Sequence, residues 1–195
     1  RMKDAAGELE FEEAARLGQG LARYALGELD AAEADLVAVR EAAAERAGVA
    51  AGLHAGVHLA ELLRVSGRHT EALMVLDAGL DHARVADRAY LHAAALHARA
   101  AISLDLFRLG EVRDLLAEAE GVDVAGVHPW LRAEGARLWG RLHLSAGESA
   151  EAEARLEPAV DRARAAGLPL VEARLVAWLG EARSASGDAP GAAEA

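Results

Sequence analysis

The 195-residue sequence contains no cysteine, no asparagine, one lysine (Lys3), one threonine (Thr70) and one isoleucine (Ile102). Without thiols it can form neither a disulfide nor a thiolate zinc site, and an intracellular protein is the simplest expectation. Aromatic residues make up only 4% of the chain, so together with the scarcity of isoleucine and threonine they leave strands little to build with. Arginine and glutamate interrupt every apolar stretch before it reaches the ~18 residues that a membrane-spanning helix needs. Basic residues number 21 against 32 acidic ones, a formal net charge of -11. That balance argues against sequence-independent binding to nucleic acid, which depends on neutralising phosphates. What is abundant is alanine, leucine, glutamate and arginine, all strong helix formers. The expected fold class is all-α.

Glycine punctuates the sequence. Gly27, Gly67, Gly110, Gly147 and Gly187 recur at an interval near 40 residues, the signature of a helical solenoid. Seven residues before each stands a small residue (Gly20, Ala60, Ser103, Gly140, Gly180), preceded by Gln19, Leu59, Ile102, Trp139 and Leu179. Five residues after each glycine come Ala32, Ala72, Leu115, Ala152 and Ala192, and nine after the first four come Leu36, Leu76, Ala119 and Leu156. A small residue beside a large one lets a partner helix approach while the large side chain fills the adjacent space. Each glycine suits the left-handed residue that closes a helix, and Glu28, Glu111, Glu148 and Asp188 place negative charge at the start of the next. The pattern predicts first helices near 8–26, 49–66, 87–109, 129–146 and 169–186, and second helices near 30–47, 69–85, 111–120 and 149–166. Connectors fall at Gly48, at Gly121 to Pro129, and at Gly167-Leu168-Pro169. Residues 1–195 are thus expected to be one repeat domain of about 4.5 helix pairs, with ends that read as those of a fragment.

The stretch Trp178-Leu-Gly-Glu-Ala-Arg-Ser-Ala-Ser-Gly-Asp188, followed by Ala192, resembles the tetratricopeptide repeat (TPR). The interval near 40, longer than the usual ~34, is similar to the repeats of large bacterial regulators of the maltose-activator-like LuxR type and the antibiotic-regulatory-protein class. That resemblance implies a right-handed superhelical solenoid of antiparallel helix pairs whose first helices line an inner wall. Met2-Lys-Asp-Ala-Ala-Gly-Glu-Leu-Glu-Phe-Glu-Glu-Ala-Ala-Arg-Leu17 resembles the UVR motif, a helical hairpin through which bacterial excision-repair subunits meet.

No catalytic or metal constellation emerges. His54 and His58 are four apart on one helix face, but neither an HExxH pattern nor a third ligand accompanies them. Gly18-Gln-Gly20 is half of a dinucleotide fingerprint without a preceding strand. Paired carboxylates such as Glu12-Glu13 suit a solvated helix exterior. No enzyme and no cofactor are expected.

Positions thirteen, ten, six and three residues before each turn glycine share one helix face and should project to the inner wall. They include His54, Val57, Glu61 and Arg64, then His97, Ala100, Leu104 and Phe107 with Arg108 beside them. Glu134, Arg137, Arg141 and Leu144 follow, then Arg174, Ala177, Glu181 and Ser184. The candidate ligand-binding residues are accordingly His54, Glu61, Arg64, His97, Phe107, Arg108, Arg137, Arg141 and Arg174. Arg137, Arg141 and Arg174 would suit an acidic or C-terminal-carboxylate peptide, unless they pair with Glu134, Glu181 and Glu172. The expected function is a cytoplasmic protein- or peptide-binding scaffold, the interaction or sensor arm of a bacterial transcriptional regulator, with oligomerisation left open. The alternative is a helical-repeat module of a DNA-repair or nucleic-acid-associated protein.

Overall fold

The computed structural model describes the backbone of residues 2–45, 49–85, 89–122 and 129–187, and their side chains except those of 2–10, 49 and 80–85. Among the described residues there are nine α-helices and no strand: α1 (Met2–Ala25), α2 (Leu29–Glu45), α3 (Val49–Val65), α4 (His69–Val85), α5 (Ala89–Asp105), α6 (Leu109–Gly121), α7 (Pro129–Ser145), α8 (Ser149–Ala165) and α9 (Pro169–Ser186). The expected all-α class and helix pairing are observed. Residues 2–17, the UVR-like segment, belong to the single helix α1, and its side chains up to residue 10 lie outside the described residues. So do Gly48, residues 123–128 of the long connector, Asp188 and Ala192.

The chain divides into two compact units, Arg1–Ala98 and Arg99–Ala195, with the division inside α5. In the first unit, α1 packs on α2, α2 on α3 and α3 on α4. In the second, α7 packs on α8, α8 on α9, and α7 on both α6 and α9.

Within each pair the turn is built the same way. The amide of Glu28 reaches back to the carbonyl of Arg23 at 2.9 Å, and that of Gly27 to Tyr24 at 3.0 Å. These two hydrogen bonds satisfy orphan carbonyls at the helix end and require a left-handed residue between the helices. The same bonds join Arg68 to Leu63 (2.8 Å), Arg108 to Ser103 (2.9 Å) and Glu148 to His143 (2.8 Å). The left-handed residues are Gly27 (φ 79°), Gly67 (75°), Phe107 (55°), Gly147 (78°) and Gly187 (85°).

The third turn therefore lies at Phe107, not at Gly110, and this corrects the register read from glycines alone. Gly110 stands inside the first turn of α6. The left-handed positions 27, 67, 107, 147 and 187 step by a constant 40 residues. In the corrected register the position seven before the turn holds Gly20, Ala60, Ala100, Gly140 and Gly180, and Ser103 drops out. Five after the turn come Ala32, Ala72, Val112 and Ala152, all fully buried, and nine after come Leu36, Leu76, Leu116 and Leu156, at most 2% exposed. Leu115 and Ala119 lose those roles.

Contact geometry explains why that small position is small. A Cβ added to Gly140 would stand 2.8 Å from Cγ and both Cδ atoms of Leu156, and one on Gly20 would stand 3.3 Å from Cγ of Leu36. In these two pairs the leucine of the second helix rests on the backbone of the first. Burying such a leucine contributes about 1.5–3 kcal/mol. Gly180 keeps its place in the series, but its partner position, nine after Gly187, would fall past residue 195.

Candidate functional site

In the first unit the candidate residues sit on α3 and α5. Arg64 donates through Nε and Nη2 to the two carboxylate oxygens of Glu61, both at 2.8 Å, so the pair forms a closed fork. His54 is half-buried, with its ring 5.2 Å from that of His58 and edge-on to Tyr90 at 6.2 Å. Burial lowers the pKa of His54. For His58, burial first and the neighbouring His54 second push it down to about 4, against an upward pull from Glu61. Both rings are neutral at pH 7. His97 is buried at 8% exposure. In the corrected register it lies ten, not thirteen, residues before its turn, alongside Ala94, Ala101 and Leu104, which are also buried.

In the second unit Phe107 and Arg108 do not share the face of a first helix. Phe107 is the turn residue itself, 78% exposed. Arg108 follows it and lies 3.6 Å from Glu111 on α6. Their placement on the wall followed from taking Gly110 as the turn, which displaced every offset in that repeat by three residues.

The three arginines expected to form a patch are held on α7 and α9. Arg137 is 7% exposed and forks onto Glu134, through Nε to Oε2 at 2.9 Å and through Nη2 to Oε1. Arg141 donates to Asp105 at 3.1 Å while its guanidinium lies 5.3 Å from the centre of the Trp178 ring. Arg174 is exposed and forms no ion pair among the described residues. Glu172, considered above as its partner, receives Arg164 at 2.8 Å instead. Of the three alternative pairings only Arg137 with Glu134 occurs.

Arg137 and Arg174 do converge. A shallow cleft of about 50 Å³ between α7 and α9 is lined by Trp130, Ala133, Glu134, Arg137, Val171, Arg174 and Leu175. Trp130 is 39% exposed and gives the cleft an aromatic wall. Its Trp130, Val171 and Leu175 were not legible as site residues. All three fall outside the four offsets used, and Leu175 reads as core. Chemically the cleft offers one exposed guanidinium, one buried guanidinium with its charge already matched, and apolar walls. It can accept a carboxylate next to an apolar side chain. Among the described residues no group of three or more His, Cys, Asp or Glu side chains could hold a metal ion, and no helix is long and apolar enough to cross a membrane.

No protein-family model and no curated protein sequence matches the chain. Solved structures do. The nearly identical TPR-like repeats of a candidate kinesin light chain from Podosopora anserina superpose with a TM-score of 0.67 at 18% identity, covering 93% of this chain and 90% of theirs. A single-substitution variant of that protein gives 0.68 at 18% identity, covering 93% and 89%. At that identity the likeness speaks for the fold, and it agrees with the constant 40-residue step and the small-on-leucine contacts. The chain is built of TPR-like helical repeats.

Proposed function

We propose that this chain is a non-catalytic interaction scaffold, the cytoplasmic sensor or docking arm of a bacterial regulator, and that it binds an acidic protein segment without any cofactor. The constant 40-residue step of the turn positions, held by glycine at four of them and by Phe107 at the third, supports reading 1–195 as one repeat array. The observation that carries the binding site is Arg174. It stands exposed and without an ion pair among the described residues, at a cleft whose other guanidinium is already matched. A carboxylate arriving there meets a cation that no acid among the described residues neutralises, while an apolar neighbour can rest on Trp130 and Leu175. Arg137 and Arg141 hold the walls through Glu134 and Asp105, and the Glu61–Arg64 fork and His54 form the corresponding first-helix face of the other unit. His97, being buried, acts there through packing.

Fluorescence anisotropy of the intact chain with labelled acidic and neutral peptides tests this reading. The acidic peptide should bind more tightly, and its affinity should fall as salt rises because exposed charge contacts are screened. Arg174→Glu should weaken it by about tenfold or more, the worth of one hydrogen bond to a charged group. Affinity that ignores peptide charge or survives Arg174→Glu overturns the assignment.

A further inference from the structure

A second cleft opens on the other side of α7. It has a volume of about 360 Å³ and lies between the start of α7 and the end of α8, with Arg132 and Arg162 at its rim and alanine methyls, among them Ala133, Ala159 and Ala163, on its floor. Among the second helices α6 is the shortest. α2, α4 and α8 each run 17 residues, whereas α6 has 13 and ends at Gly121, where Val122 turns the backbone extended. The ion pair from Arg155 to Glu120, at 2.9 Å, places the last turn of α6 beside the middle of α8. Ala159, Arg162 and Ala163 follow Arg155 at helical spacing on the same face of α8, and Ala166 caps its end. The face that α6 meets at Arg155 thus continues past the end of α6.

Charge identifies what fits there. The second unit is rich in arginine–carboxylate pairs: Arg99 with Glu111, Arg137 with Glu134, Arg141 with Asp105, Arg155 with Glu120, Arg164 with Glu172 and Arg183 with Glu153. Arg132, Arg162 and Arg174 make no ion pair among the described residues. All three line the two clefts that flank the first half of α7. In a chain with a net charge of -11, cations without an ion pair among the described residues, gathered at clefts, are complementary to an acidic ligand. Alanine methyls offer shape but no directional polar contact, so an apolar side chain between two carboxylates is the matching pattern.

We infer that the α7–α8 cleft is a second docking site, and that it takes an acidic amphipathic helix whose apolar side chain rests on the alanine floor while flanking carboxylates reach Arg132 and Arg162. Each guanidinium presents a fork that matches a carboxylate, and carboxylates four residues before and three after the apolar side chain share its helix face. This inference is independent of the α7–α9 reading, because the two clefts have no arginine in common.

The probes are two fluorescein-labelled helical peptides of identical sequence except around one central leucine. In one, glutamates stand four residues before and three after it; in the other, glutamines. Titrated with the intact chain, the glutamate peptide should bind about tenfold or more tighter. The Arg132→Gln/Arg162→Gln double variant should lose that preference, while Arg174→Gln should retain it. Both replaced side chains are exposed, so circular dichroism of the double variant should match the unmodified chain. Equal binding of the two peptides, binding of neither, or a preference that survives the double substitution overturns the inference. A preference abolished by Arg174→Gln alone also overturns it, and assigns the peptide to the α7–α9 cleft.

Discussion

Phe107 occupies a backbone conformation that every other first-to-second helix turn in the chain gives to glycine. For a residue with a Cβ that conformation costs about 1–2 kcal/mol, and with Phe107 78% exposed little packing offsets it. Phe107→Gly should therefore raise stability by about 0.5–1 kcal/mol, after allowing for the greater freedom of glycine in the unfolded chain. Gly110, helical and with nothing within 4 Å of a would-be Cβ, should respond to Gly110→Ala with a gain of up to about 1 kcal/mol. Gly147→Ala should lose a similar amount, because its φ is 78°. Urea denaturation of the three variants reads all of these, and a destabilised Gly110→Ala would restore Gly110 as the turn.

His58 gives the first unit a pH response of defined sign. Its folded pKa of about 4 lies below the ordinary 6.5, so below pH 6.5 the unfolded chain binds the proton that the folded one refuses. The stability is fully present above pH 6.5 and is lost as pH falls toward 4. Between pH 6.5 and 5 that amounts to up to about 2 kcal/mol. The pH dependence of urea midpoints should flatten over that interval in His58→Gln, and an unchanged slope would remove His58 as its source.

At the scale of helix pairs, the contact between the small position and its leucine decides how closely two helices approach. Gly140→Ala brings a methyl to 2.8 Å from three atoms of Leu156, a side chain that is itself fully buried. Overpacking of about 1–3 kcal/mol should exceed the ~1 kcal/mol that alanine gains over glycine in a helix. Gly18→Ala, on α1 with nothing within 4 Å, should show that gain alone. Opposite signs for these two substitutions in thermal or urea denaturation are the expected result, and equal stabilisation would mean that α7 and α8 can part without loss.

For the whole molecule, charge sets the broadest expectation. With 32 acidic and 21 basic residues, and six arginines of the second unit held in the pairs described above, a phosphate backbone would meet mostly acidic or already matched charge among the described residues. The chain should fail to retard duplex DNA in a mobility-shift assay at about 0.1 M salt, where attraction depends on several phosphates neutralised together. Retardation that weakens steeply with salt would revive the nucleic-acid alternative.

Composition and period alone determined the all-α class, the pairing of helices and nearly all their boundaries, because propensity and the spacing of small and large residues are local properties that persist through packing. The third turn escaped that reading. Glycine is a permissive marker of left-handed backbone, not a requirement, and only packing showed that Leu116 and Ala100, not Ala119 and Ser103, hold the third pair at their repeat positions. The candidate arginines were partly legible as well. Helical offsets put Arg137, Arg141 and Arg174 on neighbouring first helices; Glu134 matches Arg137 from one turn away on the same helix, but Arg141 is matched by Asp105, thirty-six residues away on another helix. Charge pairing across helices is a tertiary property, and it alone left Arg174, Arg132 and Arg162 without ion pairs among the described residues.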